Sequence, residues 1–127
     1  MDNSDNVLFN IQLRERTLKM AVNVYYLLRS KKDIFLTRSI IQQLIRSSSS
    51  VAANCRAALR ARSDAEFYSK ICIVVEECDE TQFWFEFLIR ISVVTSSETT
   101  KLRDEVEQLV RIFTSIKKKM KEKTRQI

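Results

Sequence analysis

Apolar residues recur along this chain at three- and four-residue steps over four long stretches, separated by short polar breaks. Such steps line one face of an α-helix, whereas a half-buried strand would alternate. The first stretch runs from Leu8 to Leu28 and carries Leu8, Ile11, Leu18, Val22, Tyr25, Tyr26 and Leu28. Beyond the break Arg29-Ser30-Lys31-Lys32, the second carries Ile34, Ile41, Leu44, Ile45, Ser48, Val51, Ala52, Cys55, Ala58 and Leu59. Ser30 is the expected cap of this second helix, with Asp33 near its positive end. Four consecutive serines, Ser47 to Ser50, fall in its middle. Serine disfavours helix interiors because its hydroxyl competes for backbone groups. Leu44, Ser48, Val51, Cys55 and Ala58 nevertheless keep the 4-3 spacing across the run. One continuous helix is therefore expected, with small side chains that let a neighbour approach closely.

The third stretch opens on Ser63, with Glu66 three residues later, the signature of a capping box. Phe67, Ile71, Val74, Cys78, Thr81, Phe85 and Leu88 then form a single stripe, and Trp84, Phe87 and Ile91 widen it. Thr95-Ser96-Ser97-Glu98 supplies the next cap and an acidic first turn. The last helix carries Leu102, Val106, Leu109, Val110, Phe113 and Ile116 and is expected to fray into a basic tail, residues 117–127. Helices of this length measure ~30 to 42 Å, and short links force neighbours to run antiparallel. The pattern predicts an all-α protein: one antiparallel up-down-up-down four-helix bundle spanning residues 1–127.

Composition narrows the chemistry. The 127 residues include no glycine, proline or histidine. Without glycine there is no phosphate-cradling loop or dinucleotide fingerprint. Without histidine there is no histidine-based triad, common zinc site or Glu-x-x-His di-iron arrangement. The cysteines at 55, 72 and 78 are too few for a disulfide scaffold and suit a reduced, cytoplasmic protein. No apolar run reaches the ~20 residues that span a bilayer, and the polar, acidic N-terminus does not read as a signal peptide, so no membrane role is expected. A long, narrow bundle core leaves no room for a cofactor, and none is expected.

The net charge of +6 is unevenly spread. Residues 29–63 carry eight basic groups against Asp33 alone, residues 64–92 sum to −5, and residues 117–127 sum to +5. Helix two is thus basic and helix three acidic. Their opposed charges either complement each other within the bundle or across a subunit interface, or leave a nucleic-acid footprint. That footprint would comprise Arg38, Arg46, Arg56, Arg60 and Arg62 together with Lys117, Lys118, Lys119, Lys121, Lys123 and Arg125. The tail reads equally as a solubilising helix end, since cations suit helix C-termini. Stacking aromatics are not interleaved with the arginines, so a binder of RNA or DNA would read backbone charge rather than bases.

Glu76, Glu77, Asp79 and Glu80 form the chain's one acidic cluster that resembles a catalytic or metal-binding set. Bundle metal sites draw ligands from several helices, and no second acidic cluster answers this one. Glu77 and Glu80 share a flank with Lys70 and Trp84, where a bidentate arginine from helix two could fix register. Asn54, set among small and apolar neighbours, is expected to bridge helices or specify an interface. The cysteines read as small core hydrophobes. Phe83, Trp84, Phe85 and Phe87 cover about three sides of a helix, more than one bundle core can bury. The surplus, Phe83 or Phe87 included, calls for self-association or another protein partner.

The run Ser49-Ser50-Val51-Ala52-Ala53-Asn54-Cys55-Arg56-Ala57-Ala58, followed by Ala61-Arg62-Ser63-Asp64-Ala65-Glu66-Phe67, resembles the signature of a bacterial family of four helix bundle proteins. That family includes proteins encoded in intervening sequences of large-subunit ribosomal RNA genes. Lys70, Ile71, Ile73, Val74, Glu76, Glu77, Glu80, Thr81, Trp84, Glu86 and Leu88 continue the likeness, which covers positions 47 to 90. The resemblance implies an antiparallel bundle assembled as a ring, often a pentamer, with no established enzymatic activity. Distant bundle relatives bind nucleic acid through a basic surface as accessory factors to reverse transcriptases. Asn54, Arg56, Ser63, Phe67, Lys70, Glu77, Glu80 and Trp84 map onto the motif as signature residues. Cys55 stands where the family often has an aromatic, and Ala57 where many members have an acid. The expectation is a homo-oligomeric scaffold or interaction protein rather than an enzyme, with a nucleic-acid-binding accessory protein as the alternative.

Overall fold

A computed structural model describes residues 3–31 and 35–125, with side chains from residue 6 onward. Among the described residues there are four α-helices and no strand: α1 (Asn3–Leu28), α2 (Phe35–Leu59), α3 (Asp64–Arg90) and α4 (Ser96–Arg125). Each packs on its neighbours in sequence, α1 also meets α4, and no diagonal pair touches. The result is an antiparallel up-down-up-down four-helix bundle.

The ends of the helices are set by short polar sequences. Ser63 accepts a hydrogen bond from the Glu66 N–H at 3.1 Å and starts α3. The returning Glu66 carboxylate takes the Arg62 N–H, one residue before the cap. The box that starts α4 is fully reciprocal. Thr95 Oγ1 accepts from the Glu98 N–H at 3.1 Å, and Glu98 accepts from the Thr95 N–H at 2.8 Å. α3 ends in a Schellman turn, with the Val93 N–H donating to the Leu88 carbonyl and the Ser92 N–H to the Ile89 carbonyl. Its left-handed position, φ 63°, holds Ser92 where glycine is usual.

Two expectations about helix ends fail. Ser30 does not cap α2: it lies in the turn that closes α1, where the Lys31 N–H donates to the Leu28 carbonyl. Asp33 and Ile34 lie outside the described residues. The last helix does not fray after Ile116 but continues to Arg125. Lysine, glutamate and methionine are good helix formers, and cations are favoured at a helix C-terminus.

The serine run is helical throughout, as the spacing implied. Ser47, Ser48 and Ser49 donate back to the carbonyls of Leu44, Ile45 and Arg46, which satisfies each hydroxyl within its own turn. Ser47 and Ser48 can therefore be buried. Thr81 Oγ1 of α3 donates to Ser47 Oγ at 3.0 Å, sharing its proton with the Glu77 carbonyl at 2.8 Å, and so joins α2 to α3 inside the core. Every buried side-chain nitrogen or oxygen among the described residues has a hydrogen-bond partner.

The core follows the α3 stripe closely, with Ile71, Val74, Cys78, Thr81, Phe85 and Leu88 buried and Phe67 partly so. In α1 the structure overturns the stripe on which the sequence pattern rested. The buried residues are Leu13, Thr17, Met20, Val24 and Leu28. Leu8, Ile11, Leu18, Val22, Tyr25 and Tyr26 lie outside, about half exposed. α1 has two apolar stripes, and the inner one is disguised by Thr17, whose hydroxyl bonds to the Leu13 carbonyl at 3.0 Å and so enters the core without penalty.

Candidate functional site

The residues singled out in the sequence fall into three groups. The first is an ion-pair cluster across α2 and α3. Arg46 bridges Glu77, at 3.3 Å, and Glu80, whose carboxylate also accepts from Trp84 Nε1 at 3.4 Å. The hydrogen bond from Arg46 holds the Glu80 carboxyl below its usual pKa, with partial burial opposing and Trp84 assisting. This is the register-fixing arginine that the spacing of Glu77, Glu80 and Trp84 suggested. Lys70 lies further along α3, half-buried. Of the two roles expected of Asn54, bridging helices is not the one it takes. Its amide donates to the carbonyl and hydroxyl of Ser50, both at 3.0 Å, one turn back in α2, and it bridges no helices. An intrahelical acceptor four residues away outcompetes a partner across the bundle.

The second group is cationic and gathers at one end. Antiparallel topology brings the C-terminus of α2, the N-terminus of α3 and the C-terminus of α4 together. Lys123 of α4 pairs with Asp64, the first residue of α3, at 3.1 Å. The Tyr68 phenol is raised chiefly by its hydrogen bond with the Cys72 thiol, while Arg125 nearby pulls it the other way. Arg56, Arg60 and Arg62 therefore share an end with Lys117, Lys118, Lys119, Lys121, Lys123 and Arg125. All are exposed except Lys117, which is half-buried. Arg38, near the start of α2, lies toward the opposite end, and Arg46 is committed to Glu77 and Glu80. The eleven-residue footprint thus reduces to nine cations at one pole.

The third group is apolar. Phe83 is 52% exposed and rests edge-on against Trp84, centroids 4.8 Å apart, with Phe87 beside both. Sequence reasoning missed a larger feature, a groove of about 700 Å³ between α1 and α2. Leu18, Val22, Tyr25 and Ile45 form its walls, and the small side chains of Ala52 and Ala53 leave it open. The signal was present in the spacing of Leu8, Ile11, Glu15, Leu18, Val22 and Tyr25, a second 3-4 repeat that the core does not use.

Among the described residues no three His, Cys, Asp or Glu side chains converge as a metal site. Burial, reinforced by Cys55 and Glu77, pushes the Cys78 thiol up to about 12, the opposite of what a nucleophile needs. Among the described residues no helix is long and apolar enough to cross a membrane.

A family model described as 23S rRNA-intervening sequence protein matches residues 10–115. The chain belongs to that family. The match extends well beyond positions 47 to 90, where the motif was legible, and takes in most of all four helices. Within the S23 ribosomal protein family, a protein of unknown function from Bacteroides thetaiotaomicron has a crystal structure similar to this chain. Its TM-score is 0.74 at 28% identity, over 84% of this chain and 98% of that one. No curated protein matches the chain. The intervening-sequence family thus supplies the fold and no activity, and the interaction surfaces must be read from their own chemistry.

Proposed function

We propose that this chain is a non-enzymatic, homo-oligomeric bundle that serves as a cytoplasmic scaffold or interaction protein. The observation that carries this reading is the outer face of α1, where Leu8, Ile11, Leu18, Val22, Tyr25 and Tyr26 stand about half exposed on an otherwise satisfied bundle. That face, with Phe83 standing separately on α3, is exposed apolar surface of the kind that marks an interaction site. Light scattering at 0.15 M and 0.5 M salt, on protein stripped of nucleic acid, tests it. The expected mass is a fixed multiple of 14.9 kDa, five for the ring that the family resemblance implies, and insensitive to salt. A monomer at both salts overturns the reading.

The nine-cation pole favours a second reading, binding to the phosphate backbone of RNA or DNA. Fluorescence anisotropy with a labelled single strand and a labelled duplex tests it, read as affinity against salt. A binder loses affinity linearly in log salt, and each cation removed flattens the slope by roughly 0.7 to 0.9. Alanine at Arg60, Arg62, Lys118 and Lys121 together should weaken binding without sequence dependence. A slope near zero for the wild type rejects this reading.

A further inference from the structure

The α1–α2 groove and the outer face of α3 complement each other in shape and charge. Along α3, Glu76, Asp79, Phe83 and Glu86 follow at steps of three, four and three, so they form one ridge pointing away from the bundle. Glu76, Asp79 and Glu86 are exposed, and Glu76 and Asp79 have no ion-pair partner among the described residues. Phe83 stands proud at the centre of this acidic ridge, steadied by Trp84 and Phe87. The groove has the opposite character. Its walls are aliphatic and aromatic, its floor is alanine and serine, and Arg14 and Arg56 outnumber Glu15 at one end. At the other end Arg29 lies over the Tyr26 ring at 4.8 Å.

The dimensions also agree. From Glu76 to Glu86 the ridge is ~15 Å long, and from Arg14 to Tyr26 the groove is ~18 Å, at 1.5 Å per residue. The ridge fits inside the groove with its acids toward the arginines and Phe83 over the small residues Ala52 and Ala53. Within one chain the two surfaces cannot meet, because the groove belongs to α1 and α2 while the ridge faces outward from α3.

We propose that the Phe83 ridge of one copy seats in the α1–α2 groove of the next, an inference that rests on the homo-oligomer reading and assigns its interface. The contact is heterologous: each copy gives one ridge and one groove, so copies join head to tail and close only as a ring or extend as a filament. An isologous pairing of α1 faces would leave Phe83 and the acidic ridge unused.

The test uses the full chain and two surface variants, Val22→Glu in the groove and Phe83→Lys on the ridge. Both positions are exposed, and circular dichroism melting checks that each variant stays folded. Light scattering should show each variant alone as a monomer. Mixed, the two should form a 1:1 dimer, because Val22→Glu retains its ridge and Phe83→Lys its groove. A charge-reversal pair covers the case in which either variant fails to fold. Arg14→Glu with Arg56→Glu should weaken assembly at least tenfold, and adding Glu76→Arg with Asp79→Arg in the same chain should restore it. A wild type that assembles while both variants also assemble, or whose variants do not complement on mixing, overturns the ridge-in-groove contact and leaves the oligomer reading standing. A monomeric wild type overturns both and leaves the groove to a helix of another protein.

Discussion

Thr81 of α3 and Ser47 of α2 place their hydroxyl oxygens 3.0 Å apart in the fully buried centre of the bundle. Thr81 donates to Ser47, sharing its proton with the Glu77 carbonyl, and Ser47 donates on to the Leu44 carbonyl. Thr81→Val and Ser47→Ala should each cost about 1 kcal/mol, the usual net worth of a buried hydrogen bond. The double variant should cost less than the sum by about 0.5 kcal/mol or more, measured by urea unfolding as a double-mutant cycle. Full additivity would show that the two hydroxyls do not interact.

Arg46 should contribute modestly and in a pH-dependent way. The pair with Glu77 and Glu80 is partly exposed, so Arg46→Ala should cost about 0.5 kcal/mol at neutral pH and less at high salt. The sign follows from the lowered pKa of Glu80. A carboxylate depressed in the folded state contributes above its ordinary unfolded pKa, ~4.3, and loses that contribution as pH falls through its folded value. Wild type and Arg46→Ala should therefore differ above about pH 5 and converge in acid. A constant difference down to pH 2 would assign the effect to packing by the arginine stem instead.

Ser92 occupies a left-handed position without the conformational freedom of glycine. Ser92→Gly should raise stability by about 1 kcal/mol, since a side chain at such an angle costs roughly 1 to 2 kcal/mol. The readout is the chemical denaturation midpoint. A loss of stability would mean that the entropy glycine adds to the unfolded chain exceeds the strain relieved.

Cys55 and Cys78 are buried, and both thiols are raised, chiefly by burial, Cys78 to about 12. At pH 8 in native conditions neither should react with a thiol-specific disulfide reagent until the bundle opens, so their labelling rate should rise with denaturant in step with unfolding. Fast labelling of Cys78 in native buffer would contradict a closed core. Half-buried Cys72 serves as the internal comparison.

The sequence was most informative where one helix had one apolar stripe and a cap beside it. α3 satisfied both conditions, so its start at Ser63, its core residues and its clamp of Glu77, Glu80 and Trp84 on a helix-two arginine could all be anticipated. α1 failed the first condition. Its inner stripe contains Thr17, which looks polar until its hydroxyl is seen on the Leu13 carbonyl, while its outer stripe is as apolar as a core. The α1–α2 groove was only half legible for a related reason: its α1 repeat stands in the sequence, but a groove is a property of two helices set side by side. The helix bridge expected of Asn54 is absent because residue type does not tell which acceptor an amide will choose. The clustering of nine cations at one pole needed both the antiparallel order and the continuation of α4 to Arg125.

The two-point grip of Arg16 on Glu105 has a dynamic consequence. The guanidinium reaches the two carboxylate oxygens at 2.6 and 3.0 Å, and Gln108 at 3.1 Å, across the seam where α1 meets α4. That seam is the thinnest of the four. A seam held by this clasp, with the Lys31–Glu98 pair at its end, should open first, with α1 lifting as a cooperative unit while α2, α3 and α4 stay joined. In native-state hydrogen exchange, amides of α1 should therefore escape protection at a lower free energy than those of α3, and loss of the Arg16 side chain should widen that gap.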